Sequence, residues 1–184
     1  MALYTRKGDG GTTKIFGCDQ KLSKSSAVAE ALGAMDELNS LLGFCKVKSQ
    51  KVKVKPKSLA LVQVLEQAQH NLFIIQAELA GAAKMIVTEK VSALEKIIDE
   101  IENELPPIKS FFIAGGTELA ALLDYARTVA RRAERRVVRA REEKQVKIGE
   151  ATLAYLNRLS SLLYALARLV NHRSGIKEQS PHYR

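Results

Sequence analysis

Between Thr152 and Arg173 the chain carries leucine or valine at positions 153, 156, 159, 162, 163, 166, 169 and 170, which leaves a helix apolar almost all the way round. A helix of that kind has almost no solvated face to offer, so other elements must wrap it. That segment commits the chain to a packed helical fold. Four more segments supply the wrapping. Ser25 and Ser26 are N-cap candidates ahead of Leu32, Met35, Leu38, Leu41 and Leu42. Ser58 is expected to cap a second helix through Leu61, Leu65, Ala68, Leu72, Ile75 and Leu79. Thr88 opens a third, with Val91, Leu94, Ile97, Ile98 and Ile101, which Pro106-Pro107 stops. Thr117, followed by Glu118, caps a fourth, whose apolar stripe is Leu119, Leu122, Ala126, Ala130, Ala133 and Val137. A break near Gly149 separates it from the last helix. The expectation is an all-α five-helix bundle in one domain: residues 1–24 a glycine-rich loop, 25–173 the bundle, 174–184 a polar tail.

A length of 184 residues suits one domain with a real core. No apolar run follows the opening residues and none later is long enough to span a bilayer, so neither a signal peptide nor a membrane segment is expected. Cys18 and Cys45 stand alone, which fits reduced thiols and a cytoplasmic protein. His70, His172 and His182 lack metal-ligand spacing. The net charge of +9 raises the question of nucleic acid. Part of it comes from Lys46, Lys48, Lys51, Lys53, Lys55 and Lys57, read as a solvated connection between helices. No aromatic interleaves with these lysines, which argues against a single-strand binder.

Three groups carry chemistry. From Tyr4 to Lys14 the chain mixes three glycines, three threonines, three cations and Asp9 without an apolar period. Glycines let backbone N–H groups converge on an anion, so this stretch reads either as a polyphosphate cradle or as an ordinary glycine-rich tail. It lacks the Gly-Lys-Ser/Thr ending of a Walker A loop. On the fourth helix Arg132, Arg136 and Arg139 point away from the apolar stripe and are expected to be solvated. Arg127, Arg131 and Glu134 share a strip at its edge. A guanidinium there either pairs with its own helix or holds an anionic ligand with its fork of donors. On the last helix Asn157 stands out as a polar residue expected to be buried, beside Ser160 and Tyr164. Asp36 and Glu37 on the first helix are candidate partners for the arginines.

Taken in order, five segments resemble the PduO-type ATP:cob(I)alamin adenosyltransferases over almost the whole length. They are Tyr4 to Thr13 with Phe16-Gly17, Gly33 to Ser40 with its Asp-Glu-Leu-Asn-Ser run, Phe111 to Gly116, Ala126 to Arg135, and Leu156 to Ser160. The resemblance implies a ferritin-like up-down core, a homotrimer with active sites at subunit interfaces, and transfer of the 5′-deoxyadenosyl group of ATP to cob(I)alamin. It implies that Thr5, Arg6, Lys7, Gly8, Gly11, Thr12, Thr13 and Lys24 surround the phosphates. Arg131, Arg132, Glu134, Arg135 and Asn157 would bind the nucleotide from the other side. Arg127 would pair with Asp36 across the interface, and Phe111 would close the lower face of the corrin ring. Arg131, Arg127, Asp36 and Phe111 are thus the implied catalytic set. Mg²⁺ would be held mainly through the ATP phosphates, with Glu134 as a further candidate ligand. A reductase and an adenosylcobalamin-dependent enzyme are implied partners, with no nucleic acid and no membrane. The chain departs from the family pattern at Ala114, where proline precedes Gly-Gly, and at Ser161, where Asp is usual. Ser25 replaces an acid and Cys18 a glycine. A non-catalytic ATP- or cobalamin-binding regulator or carrier of the same fold is the alternative.

Overall fold

The computed structural model describes residues 4–15, 21–51 and 60–183. Five helices follow a short hairpin: β1 (Thr12–Lys14), β2 (Lys21–Ser23), α1 (Ala27–Lys51), α2 (Leu61–Leu79), α3 (Thr88–Glu104), α4 (Glu118–Glu142) and α5 (Glu150–Arg173). The helices pack in the order the apolar stripes require. α4 lies against both α1 and α5, α2 covers α1, and α3 covers α5. α5 is buried along most of its length from Thr152 to Asn171, as its all-round pattern demands. Each leucine buried there contributes on the order of 2 kcal/mol. The buried stripe of α4 includes Ala120, Ala126, Ala130, Ala133 and Ala140. Small residues let the backbones of α1 and α5 come close, which brings the polar edges of these three helices near one another.

Helix ends follow local chemistry. Ser26 Oγ accepts the N–H of Ala29 at 3.3 Å and Thr117 Oγ1 that of Ala120 at 3.1 Å, so both expected caps form. α3 starts at Thr88 after Val87, without a side-chain cap, and ends at Glu104 just before the proline pair. α5 starts after Gly149 and takes its cap from a distant element. Glu78 of α2 accepts the Gly149 N–H at 2.7 Å and the Thr152 hydroxyl at 2.5 Å.

Several expectations need correction. The lysine stretch is not simply a solvated connection, because α1 continues to Lys51. Lys46 pairs with Glu66 of α2 at 3.3 Å, and Lys48 pairs with Glu118 of α4. Val47 and Ser49 keep the helical run going between them, and nothing before Pro56 forces a stop. Lys53, Lys55, Lys57 and the expected cap Ser58 lie outside the described residues, and α2 has Ala60 at its N-cap. The glycine-rich stretch holds a strand, which alternation too short to register in the sequence had hidden. β1 pairs antiparallel with β2 in the register Thr12↔Ser23, Thr13↔Leu22, Lys14↔Lys21. Among the described residues no helix is long and apolar enough to cross a membrane.

Candidate active site

The hairpin folds the opening loop into a hollow. Gly11 holds φ at +76° and Arg6 at +57°, and the Lys24 N–H donates to the Gly11 carbonyl at 2.9 Å, closing the loop on the strand pair. Glycine at position 8 leaves room there, since a Cβ would stand 3.2 Å from the Thr12 carbonyl oxygen and 3.3 Å from Lys24 Nζ. The result is a cavity of about 540 Å³ lined by Thr5, Lys7, Gly8, Thr12, Thr13, Lys14, Lys21 and Lys24. Four lysines and three threonines thus line one space. Lys14 and Lys21 stand opposite one another in the strand pair, which puts both on the same hollow. Arg6 turns away and stacks 5.6 Å from the centre of the Tyr4 ring.

Of the expected phosphate residues, Thr5, Lys7, Gly8, Thr12, Thr13 and Lys24 therefore line one hollow. Arg6 does not line it, and Gly11 shapes it through its backbone. Lys21 is the lining residue that sequence reasoning missed, whereas Lys14 belongs to the stretch read as a cradle but not to the implied phosphate residues. The signal was present as Lys-Leu-Ser-Lys at 21–24, but one alternation is too short to distinguish a strand.

A second cluster forms along α4 and α5. Asn157 Nδ2 donates to Glu134 Oε1 at 3.2 Å, and Arg158 Nη1 donates to Asn157 Oδ1 at 3.1 Å. Arg158 is itself held by Glu95 of α3 at 3.0 Å. Asn157 is exposed within the chain, which corrects the expectation of a buried amide. The strip of α5 that neither α3 nor α4 covers runs through Asn157 and Ser161, whereas Ser160 is buried and bonds back to the Asn157 carbonyl at 3.0 Å. Arg127 pairs with Asp124 one turn earlier at 2.7 Å and lies 5.9 Å from the centre of the Tyr164 ring. Partial burial is the first cause that raises the Tyr164 phenol above its ordinary value. Arg131 is exposed, with its backbone carbonyl accepting from Arg135 at 3.1 Å.

The outer arginines of α4 are not solvated bystanders. Arg132 pairs with Glu37 of α1 at 2.5 Å, Arg136 with Glu30 at 3.2 Å, and Arg139 with Glu143 at 2.6 Å. The hydrogen bond that Arg132 donates to Glu37 holds the guanidinium even more firmly protonated. The first two pairs tie α1 to α4. Asp36, the neighbour of Glu37, is exposed on α1, and within the chain Arg127 is engaged by Asp124 instead.

The third element is the loop from Leu105 to Thr117. Phe111 is 80% exposed at its crest, with Ile108 and Ile113 also exposed. Asn171 of α5 fastens its far end, donating to the Gly115 carbonyl at 2.9 Å and accepting the Thr117 N–H at 3.0 Å. Sequence reasoning overlooked Asn171, although it satisfies the same criterion as Asn157: an amide on a nearly all-apolar helix.

None of Arg127, Arg131, Glu134, Asn157 and Phe111 lines the lysine hollow. One chain thus presents a lysine- and threonine-lined hollow, a separate arginine–glutamate–asparagine strip and an exposed aromatic loop. The chain belongs to the cobalamin adenosyltransferase family, whose sequence model matches residues 3–170. It is 41% identical to the corrinoid adenosyltransferase of Bacillus subtilis over 180 residues, 96% of this chain and 90% of that protein. It is 40% identical to the corrinoid adenosyltransferase PduO of Citrobacter freundii over 94% of this chain, but it spans only 50% of that longer protein. Among solved structures it is similar to a PduO-type ATP:corrinoid adenosyltransferase of Lactobacillus reuteri, a phenylalanine-to-alanine variant complexed with cobalamin and ATP. The TM-score is 0.86 at 31% identity, covering 99% of this chain and 100% of the other. An arginine-to-lysine variant of that enzyme, complexed with ATP, gives 0.84 at 32% identity over 98% and 100%.

Proposed function

We propose that this chain transfers the 5′-deoxyadenosyl group of ATP to the cobalt of cob(I)alamin, giving adenosylcobalamin and triphosphate. The observation that carries the reading is the hollow lined by Lys7, Lys14, Lys21 and Lys24 with three threonines, in a chain of this family. Cobalt(I) attacks the 5′-carbon, a Co–C bond forms, and the C5′–O bond breaks with its electron pair leaving on triphosphate. The nucleophile carries no proton, so no general base is needed. The protein aligns cobalt with carbon and stabilises charge growing on the leaving group. Lysine ammoniums, threonine hydroxyls and loop N–H groups suit the triphosphate, and Arg131 adds a fork of donors. Glu134 and Asn157 hold one another in a geometry that can bind the adenosine end. The Phe111 ring presents an apolar face to the corrin and keeps water from the lower side of cobalt.

Mg²⁺ fits this donor set. It keeps several waters and takes phosphates with one or two protein oxygens. Among the described residues no group of three or more His, Cys, Asp or Glu could hold a metal, so threonine hydroxyls and Glu134 are the groups on offer. When bound, Mg²⁺ neutralises phosphate charge and eases departure of triphosphate.

A homotrimer is the assembly we infer for this chain, and the separation of the lysine hollow from the α4–α5 strip supports it. The lysine hollow of one subunit would meet the α4–α5 strip of its neighbour, with Asp36 offered to Arg127 across the interface. A reductase that supplies the electron and an enzyme that consumes adenosylcobalamin are the partners this reaction requires.

Cob(II)alamin, a reductant and Mg-ATP under anaerobic conditions should yield adenosylcobalamin by absorbance and inorganic triphosphate as the co-product. Orthophosphate without a Co–C bond would reject the reading. Arg131→Ala should lower turnover at least a hundredfold with assembly intact; near-normal turnover would remove Arg131 from the phosphate site.

A further inference from the structure

Residues 176–180 belong to the polar tail, yet they return to the loop that carries Phe111. Glu178 meets Arg168 of α5 with both carboxylate oxygens: Arg168 Nε lies 3.0 Å from Oε1, and Nη2 lies 3.0 Å from Oε2. Arg168 is only 5% exposed. The same Nη2 donates to the Pro106 carbonyl at 3.0 Å, and the guanidinium lies 5.2 Å from the centre of the Phe112 ring. The Gln179 carbonyl accepts the Ile113 N–H at 2.8 Å, and the hydroxyls of Ser110 and Ser180 are 2.7 Å apart. These contacts hold residues 110, 112 and 113, on both sides of Phe111, and none of them touches the exposed Phe111 ring itself.

Packing alone does not place this segment. Arg168 and Glu178 border a hollow of about 400 Å³ on the side of Pro106 and another of about 190 Å³ on the side of Gly116. With space on two sides, the polar contacts decide where the segment lies. A bidentate pair on a nearly buried guanidinium is directional, and losing its carboxylate leaves a buried charge uncompensated. The loop itself has little intrinsic stiffness. Ala114 lacks the fixed φ of a proline, and Gly115 and Gly116 follow at φ +139° and +96°.

We propose that residues 176–180 form a brace that sets the position of Phe111, with Glu178 and Arg168 as positioning residues for the corrinoid half of the site. The proposal rests on the reading of Phe111 as the residue facing the corrin. Glu178 acts through Arg168 and the loop backbone and touches neither substrate. Its loss therefore acts on the corrinoid step and leaves ATP binding alone, whereas a general loss of fold integrity lowers both.

The test uses the full chain as wild type, Glu178→Gln, Phe111→Ala and the double variant. Hydrogen exchange is followed at the Ile113 amide, ATP affinity by calorimetry, and turnover from cob(II)alamin with reductant and Mg-ATP. Glu178→Gln should speed Ile113 exchange at least tenfold, leave the ATP dissociation constant within twofold, and slow turnover about tenfold. Added to Phe111→Ala, it should cost no further turnover, because the brace has lost the residue it positions. Unchanged Ile113 exchange would overturn the proposal, as would equal losses in ATP affinity and turnover or a fully additive double variant. Absence of adenosylcobalamin from the wild type would reject the functional reading instead, and Ile113 exchange would still decide whether the brace exists.

Discussion

Gly116 holds φ at +96°, and a Cβ there would stand 2.3 Å from Asn171 Oδ1. The amide of Asn171 needs that approach to reach both the Gly115 carbonyl and the Thr117 N–H. Gly116→Ala combines a clash with an unfavourable φ and should destabilise the fold by about 2–4 kcal/mol; an unchanged urea midpoint would contradict this. Elsewhere single residues are tuned by burial. Desolvation pushes the Cys45 thiol from 9.0 to about 11 and the Tyr155 phenol from 10.0 to about 12. Both folded values are raised, so the folded state holds its protons longer than the unfolded chain. The associated stability is full below pH 9 and is lost as pH climbs toward 11 and 12, by on the order of 2–3 kcal/mol for each group. Urea midpoints measured from pH 8 to 11 should fall, and Cys45→Ala should flatten the first part of the fall. A flat wild-type profile would count against burial as the cause. These effects were illegible in the sequence. Cys45 and Asn171 have ordinary neighbours along the chain, and only their surroundings in space give them their properties.

At the scale of elements, the helices were legible wherever local chemistry decided them. The stripes of α2, α3 and α5, the caps Ser26 and Thr117 and the stop at Pro106-Pro107 all appear where period and capping put them. Apart from the short hairpin, the misses share a cause, which is a partner distant in sequence. Lys46 and Lys48 read as linker because Glu66 and Glu118 lie far along the chain. Nothing along the chain singles out Glu78, which caps α5 from α2. It is 7% exposed, and its removal would leave the Gly149 N–H and the Thr152 hydroxyl without an acceptor. Glu78→Ala should destabilise by about 2–3 kcal/mol, with Glu78→Gln losing less. Equal stability of the alanine variant and wild type in chemical denaturation would refute a capping role.

For the whole molecule, the candidate site divides into parts that one chain keeps separate. The hollow of Lys7, Lys14, Lys21 and Lys24 has no lining residue from α4 or α5, and the Glu134–Asn157 pair faces outward. Two such half-sites can be completed by a cyclic arrangement of copies, in which each subunit's loop meets its neighbour's helices. Asp36 is the residue that tests this arrangement, because it is exposed on α1 and Arg127 already has Asp124 within the chain. Asp36→Ala should shift sedimentation toward smaller species or lower turnover at least tenfold. Unchanged sedimentation together with unchanged kinetics would remove the pairing.

The sequence by itself determined a bundle of five helices, the helices' order and most of their ends, and the residue types available for a polyphosphate. It could do so because helical period and capping are properties of neighbours within a few positions. The tertiary structure alone decided that Lys14 and Lys21 face the same hollow as Lys7 and Lys24, that Arg132 and Arg136 bind α1 to α4, and that the tail returns to Phe111. Those outcomes depend on pairings between residues tens of positions apart. Whether two charges pair or repel is set by distance and desolvation in space, and neither is written in their spacing along the chain.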